Sequence, residues 1–174
     1  MVFRDIFEQH KDMVYNLALN YVQNQEDAEE ITQDVFVKVY QGQESFDHRS
    51  QLKTWIYKIT MHQCLDFIKS KQRHKRSIFH QIIRVDDIQN GQMLAHFDHP
   101  GIALEQKEDM QKLFSVINQL PEQQKTVILL LKTEQLSQTE TADIMNISAK
   151  AVDSLFQRAK KNLSELLNKS KDTQ

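Results

Sequence analysis

The chain has 174 residues, a formal net charge of −2 and 40% hydrophobic residues. Three glycines and two prolines are too few for a β-sandwich or barrel built on tight turns, so the composition favours long helices. A single cysteine excludes an internal disulfide framework, and no apolar run approaches the roughly 20 residues that cross a bilayer. Since the first residues lack a signal-peptide pattern, the sequence predicts a cytoplasmic protein.

The near-neutral total conceals two adjacent charged segments. Residues 1–47 carry three basic and ten acidic side chains, whereas residues 48–76 carry eight basic and one acidic. The acidic segment suits a basic protein partner and the basic segment suits a polyanion.

Two amphipathic helices are predicted in the acidic segment. The first spans residues 3–22, and the second begins after a polar break with Asp27 as its N-cap. In the second helix, apolar residues recur on one line, at Ile31, Val35 and Val39. Three polar residues lie three and four apart and share a face at the edge of that line: Glu30, Gln33 and Asp34. An acidic helical face by itself is also explained by simple solvation.

The basic segment predicts a third helix from about Gln51, in which lysines alternate with Trp55 and Tyr57. Such a pattern suits a nucleic-acid strand, because lysine and arginine bind phosphates while aromatic rings stack on unpaired bases. The alternative for Trp55 is a core anchor between helices. Cys64 is predicted to be a small buried hydrophobic residue.

Residues 77–103 show no sustained helical or strand period and contain the breakers Asn90-Gly91 and Pro100-Gly101. They are predicted to form a flexible linker. His96, Asp98 and His99 match no metal-site spacing, so neither a metal nor a cofactor is predicted.

The helical period returns in residues 104–170. The segment EQQKTVILLLKTE is apolar on nearly all sides, which predicts the buried centre of a second helical domain. Ser137 with Glu140 forms a capping-box pattern, Asn146 suits a sharp turn in the left-handed conformation, and Ser148 can cap a long last helix. These intervals indicate a helix-turn-helix, with an ordinary helical hairpin as the alternative.

Taken together, these segments resemble a bacterial RNA polymerase sigma factor of the sigma-70 family, in its small two-domain extracytoplasmic-function group. The core-polymerase-binding helix of that family is similar to DAEEITQDVFVKVY, and its promoter-melting segment is similar to FDHRSQLKTWIYKI. The end of its −10-reading helix resembles CLDFIKSKQR. Its −35-reading domain resembles LPEQQKTVILL followed by LSQTETADIMNISAKAVDSLFQRAKKNL.

The resemblance implies a role for each group of residues. The positions that dock on the coiled coil of the polymerase's largest subunit are Glu30, Gln33 and Asp34. The segment that opens the −10 duplex and binds its non-template strand contains Arg49, Ser50, Lys53, Trp55, Tyr57, Lys58 and His62. The residues of the −35-reading helix that contact DNA are Ser148, Lys150, Ser154, Gln157, Arg158 and Lys161.

The resemblance also implies an all-α fold of two small domains, residues 1–76 and 104–170, joined by the linker. Its partners would be core RNA polymerase, bound through the coiled coil and the flap region, promoter DNA, and an anti-sigma factor that is often membrane-anchored. No small-molecule substrate is implied. The function would be to direct core polymerase to promoters and help open the −10 region. The alternative is a conventional helix-turn-helix regulator with an N-terminal sensory or dimerisation domain.

An enzyme fits poorly, since the chain has no glycine-rich phosphate loop and no CxxC or HExxH pattern. Three positions depart from the family pattern and bear on DNA binding: His62, where relatives often have Asn, and Asp153 and Leu155, where many relatives have basic residues. Residues 121–174 carry eight basic and seven acidic side chains. We therefore expect the free protein to bind a −35 duplex weakly.

Overall fold

The computed structural model describes residues 2–46, 50–82 and 104–171, and all regular structure in these ranges is helical. The first domain contains α1 (Phe3–Val22), α2 (Gln25–Gly42), a 3-10 turn (Gln43–Ser45) and α3 (Leu52–Ile82). The second contains α4 (Leu104–Ile117), α5 (Glu122–Ile128), a π-helical turn (Leu129–Thr133), α6 (Gln138–Met145) and α7 (Ala149–Lys171). The prediction of two small all-α domains is confirmed.

In the first domain, α1, α2 and α3 pack against one another. The apolar line predicted on α2 is fully buried, and so is Cys64. Burial raises the pKa of the Cys64 thiol to about 12. The predicted N-cap was wrong. Asn24 caps α2, and its side-chain oxygen accepts a 2.8 Å hydrogen bond from the backbone N–H of Asp27. Asp27 lies inside the first turn, where its charge favours the positive end of the helix dipole.

The backbone of α3 continues to Ile82, past the domain boundary expected at residue 76. A helical period need not stop where the composition changes, since each added residue contributes its own backbone hydrogen bond. Residues 83–103 of the predicted linker, with His96, Asp98 and His99, lie outside the described residues.

In the second domain, the local signals produce the predicted structure. Val127, Ile128, Leu129 and Leu130 form the buried centre. Ser137 and Glu140 make the complete capping box of α6. Asn146 ends that helix in the left-handed conformation, at φ 55° and ψ 45°. The Ser148 hydroxyl accepts a 3.1 Å bond from the N–H of Ala151 and so caps α7.

The two domains meet along a polar contact, which we call the seam. The seam consists of Asn20, Tyr21, Gln23 and Tyr57 from the first domain, with Asn118, Lys125, Thr126 and Glu134 from the second. At its centre the Tyr21 hydroxyl donates to Thr126 Oγ1 at 2.8 Å, and Lys125 Nζ donates to the carbonyl of Tyr21 at 2.8 Å. The amphipathic pattern predicted the buried centre of the second domain but not this polar surface beside it.

Candidate polymerase and DNA interfaces

The three residues expected to dock on polymerase lie together on the exposed face of α2. Glu30, Gln33 and Asp34 are all exposed, while the apolar line beside them is buried. Asp34 Oδ2 accepts a 2.8 Å bond from the side chain of Gln63 on α3, so this carboxylate is also oriented by the neighbouring helix. The face therefore presents two negative groups, of which Asp34 is oriented by a hydrogen bond.

This acidic face continues into an apolar patch that the sequence reasoning missed. Val37 is 54% exposed and Tyr40 is 60% exposed. They follow Gln33 by four and seven residues and therefore lie on the same face of α2. The spacing could have revealed them, because a helical face intended only for solvent does not need two large apolar residues. Carboxylates next to exposed apolar side chains are typical of a surface that binds protein.

Trp55 lies in a close-packed setting at the start of α3. It is half-buried, and its ring is 5.0 Å from that of Phe46, centroid to centroid, at an interplanar angle of 34°. A Cβ at Gly42 would come within 2.9 Å of Trp55 Cζ2. Gly42 is therefore needed for the close approach of the ring to the end of α2. Both interpretations of Trp55 describe part of this geometry, since one portion of the ring is packed and another is accessible.

The predicted −10 residues of α3 divide between two faces. Trp55, Lys58 and His62 are three, four and seven residues apart and share one face, on which His62 is exposed. Lys53 and Tyr57 lie on the opposite face, which is turned toward the second domain. The sequence pattern placed all five in one segment but did not separate the faces.

Tyr57 is the most deeply placed of these residues, at 3% exposure. Its hydroxyl donates a 3.1 Å hydrogen bond to Glu134 Oε2 of the second domain. Burial, together with the negative charge of Glu134, raises the pKa of the Tyr57 hydroxyl. Lys53 Nζ stands 5.8 Å from the centre of the Tyr57 ring. In this arrangement of the domains Tyr57 faces protein, so its contact with DNA stays a prediction.

Two further members of the −10 set complete the description. Ser50 is half-buried just before α3, and Arg49 lies outside the described residues. Farther along α3, acidic partners neutralise part of the basic segment: Lys71 pairs with Asp27, and Lys69 lies 3.1 Å from Glu122 of the second domain.

All six residues expected to contact −35 DNA are exposed on α7 or at its cap. Several are held by bonds within the helix: the Ser154 hydroxyl donates to the carbonyl of Lys150 at 3.0 Å, and Arg158 Nε donates to that of Ser154 at 3.2 Å. Asp153 accepts a 3.3 Å bond from the side chain of Gln157, and both residues are exposed on the helix face that is expected to contact DNA. Lines of three- and four-residue spacing bring these residues together without help from other elements.

Among the residues that the structure describes, no group of His, Cys, Asp and Glu side chains could hold a metal ion. Across the same residues, every helix falls short of the length and apolarity that a membrane span requires.

Comparisons with known proteins agree with this architecture. The sigma-70 region 2 family matches residues 6–74, and the sigma-70 region 4 family matches residues 110–163. The chain is 30% identical to RNA polymerase sigma factor SigV of Bacillus subtilis, over 92% of this chain and 87% of that protein. It is 28% identical to the ECF RNA polymerase sigma factor SigW of the same organism, over 95% of this chain and 88% of that protein.

The fold also matches that of sigma factor RpoE from Bartonella quintana, solved in complex with the anti-sigma factor NepR. That match has a TM-score of 0.64 at 22% identity, over 95% of this chain and 96% of the other. The chain belongs to the sigma-70 family of RNA polymerase sigma factors, in its extracytoplasmic-function group. It is a promoter-directing transcription initiation factor, and the conventional helix-turn-helix regulator is not favoured.

Proposed function

We propose that the exposed face of α2 docks on the coiled coil of the polymerase's largest subunit. The observation that carries this proposal is the combination, on one face, of Glu30, Gln33 and Asp34 with the apolar Val37 and Tyr40. The carboxylates would steer a basic partner into place, while the apolar residues would supply the desolvated centre of the contact.

For the promoter, we assign the accessible face of Trp55, Lys58 and His62 to the −10 non-template strand. A half-buried ring held by Gly42 and Phe46 is a rigid platform for an unstacked base, and Lys58 can bind the adjoining phosphate. The second domain would read the −35 element with α7 and contact the flap region of polymerase. The chain itself performs no chemistry in this scheme, and it acts in the cytoplasm beside core polymerase.

The test is to measure core-polymerase affinity in a pull-down and run-off transcription on promoter fragments. Glu30→Lys reverses a charge at an exposed position on the docking face. We expect at least about a tenfold loss of core affinity, and a larger loss when Asp34→Lys is added. Glu165→Lys makes the same charge change on exposed α7 and serves as the matched control. Normal core affinity in the Glu30→Lys variant would contradict the docking assignment.

We further propose that an anti-sigma factor regulates the chain. We also propose that this inhibitor carries a membrane anchor, as such inhibitors often do. A cavity of about 710 Å³ lies between α1, α4 and α7, with Leu113, Phe156 and Leu163 among its apolar lining. Lys132 and Lys160 stand at its edge, 5.3 and 4.9 Å from the centre of the Phe156 ring. An amphipathic helix with acidic flanking residues matches this cavity in shape and charge.

The regulator can be tested with a reporter for the chain's own promoters in its host. Leu163→Asp should weaken the inhibitor's contact and raise reporter expression, while Glu165→Asp, two residues away on the exposed surface, should leave it unchanged. Equal inhibition of both variants, with the purified Leu163→Asp protein folded and active, would exclude this cavity as the docking site.

A further inference from the structure

Three polar side chains form a bridge between α2 and α3. Asp34 and Lys38 lie on α2, and Gln63 lies on α3. Gln63 Nε2 donates a 2.8 Å hydrogen bond to Asp34 Oδ2, and Gln63 Oε1 accepts a hydrogen bond from Lys38 Nζ. We call this arrangement the amide bridge. It connects the docking face of α2 to the helix that carries the proposed −10 surface.

The packing of the two helices fixes the position of the amide bridge. The residues that directly follow its three members in the chain are completely buried: Val35, Val39 and Cys64. Gln63 is half-buried, whereas Asp34 and Lys38 are exposed. The amide bridge therefore lies at the outer edge of the contact between α2 and α3. Its amide is held by the packed helices, and its two charged groups are accessible to a partner.

The chemistry of the amide allows it to bond to both charged groups at once. A carboxylate only accepts hydrogen bonds and an ammonium only donates them, whereas an amide does both. A carboxylate or an ammonium at position 63 could bond to only one of the two neighbours. Because the amide is neutral, its hydrogen bond orients Asp34 without cancelling the negative charge.

Without the amide, the spacing on α2 favours a direct ion pair. Asp34 precedes Lys38 by four residues, and an acidic residue four positions before a basic one is the favoured order for an ion pair on a helix. Such a pair would cancel one of the two negative charges on the docking face. A basic partner would then have to break the pair before it could bind the carboxylate.

We propose that Gln63 is a positioning residue for polymerase docking, which keeps Lys38 apart from Asp34 so that the carboxylate stays available to a basic partner. Gln63 acts through Asp34 and does not itself have to contact polymerase. The inference rests on the proposed docking of α2. Since Val37 and Tyr40 on the same face do not depend on the amide, its loss should weaken docking without abolishing it.

The test begins with the core-polymerase affinity of the full chain, measured by titration in a pull-down. Gln63→Leu and Gln63→Ala each remove both hydrogen bonds of the amide. We expect either substitution to lower the affinity about three- to fivefold, the upper range for interactions between exposed charges. Gln111→Leu removes a half-buried glutamine from α4 and is the matched control, for which we expect unchanged affinity.

A second substitution separates this mechanism from a simple packing role. Adding Lys38→Met to Gln63→Leu removes the ammonium that would pair with Asp34, so the affinity should return to within about twofold of the unaltered chain. Lys38→Met alone should change the affinity by less than about twofold, because the amide already keeps the charges apart. Lys112→Met makes the same charge change at an exposed position of α4 and should not restore the affinity of Gln63→Leu.

Two outcomes would overturn the proposal. One is normal core affinity in both Gln63 variants. The other is a loss of affinity that Lys38→Met does not restore, which would mean that Gln63 only packs α3 on α2. If circular dichroism shows a fold defect in Gln63→Leu, the same comparison is made with Gln63→Ala. The docking assignment fails on a different result, normal core affinity in the Glu30→Lys variant, so the two failures are distinguishable.

Discussion

The two surfaces of this sigma factor that are expected to bind DNA are built in opposite ways. On α7, all the residues expected to contact DNA are exposed on a helix whose start is set by local caps and a left-handed turn residue. On α3, the corresponding residues divide between an accessible face and a face covered by the other domain. The surface on α7 is formed by residues that are close in sequence, whereas the surface on α3 depends on how the two domains are arranged.

Charge distinguishes the same two surfaces. Residues 48–76 carry eight basic and one acidic side chain, whereas residues 121–174 carry eight and seven. Since phosphate contacts supply most of the sequence-independent affinity for DNA, the first surface should bind strongly once accessible and the second weakly. On α3 only part of the basic surface is covered by the second domain, whereas the nearly neutral surface of α7 is exposed. The following predictions test this contrast, from the largest expected effect to the smallest.

A comparison of Trp55→Ala with Arg158→Ala tests whether the α3 surface or the α7 surface contributes more to initiation. Removing a stacking platform costs about 1–3 kcal/mol per base, so we expect Trp55→Ala to reduce open-complex formation by about ten- to a hundredfold. The measurement is permanganate reactivity of promoter thymines with reconstituted holoenzyme. Arg158→Ala should have the smaller effect, and core binding by both variants should be normal. A larger defect in Arg158→Ala would reverse the contrast.

Gly42→Ala tests whether Trp55 depends on the close approach of α2. The added methyl group would meet the ring at 2.9 Å, so the ring or the helix end must move. We expect a loss of about 1–3 kcal/mol in the free energy of unfolding, as for other overpacked sites, together with a defect in strand opening. Gln41→Ala, on the neighbouring exposed position, is the control. Unchanged denaturant midpoints in both variants would refute the packing argument.

The seam should make stability depend on pH in a narrow window. The pKa of Lys125 is lowered from 10.5 to about 8, so above pH 8 the unfolded chain binds more protons at this site than the folded chain. The free energy of unfolding should therefore rise with pH, by about 1 kcal/mol between pH 8 and pH 9. Above pH 9 the raised pKa of Cys64 opposes this rise.

Lys125→Met provides the comparison for this pH effect. It keeps a long side chain in the seam but removes the titrating group, so chemical unfolding should lose the rise between pH 8 and pH 9. An equal rise in both proteins would assign the effect to another group.

Asp153→Asn should have the smallest effect, and it tests the weaker of the two surfaces, the one on α7. Removing one exposed negative charge from the DNA face of α7 should increase affinity for a −35 duplex about two- to fivefold, in line with the small energies of exposed charges. Electrophoretic mobility shifts of the free protein at two salt concentrations measure it. Tight, salt-resistant binding before the substitution would contradict the weak-surface interpretation.

The sequence by itself determined the elements governed by neighbours in the chain. The apolar line on α2, the capping box at Ser137 and the left-handed turn at Asn146 all follow from residues within about four positions of one another. Such signals were enough to predict the all-α architecture and the long last helix, α7. One of them misled by a few residues, because Asn24 and Asp27 are both competent caps and only the backbone at Asn24 is extended.

Only the tertiary structure decided which polar residues are buried. Lys125 bonds to Tyr21, which lies 104 positions away in the chain. Glu134 bonds to Asn20, 114 positions away, and to Tyr57, 77 positions away. No helical period records such a meeting, because burial of a charge depends on the groups that a distant element brings to it. The burial of Tyr57, one of the predicted −10 residues, therefore became visible only when the second domain was in place.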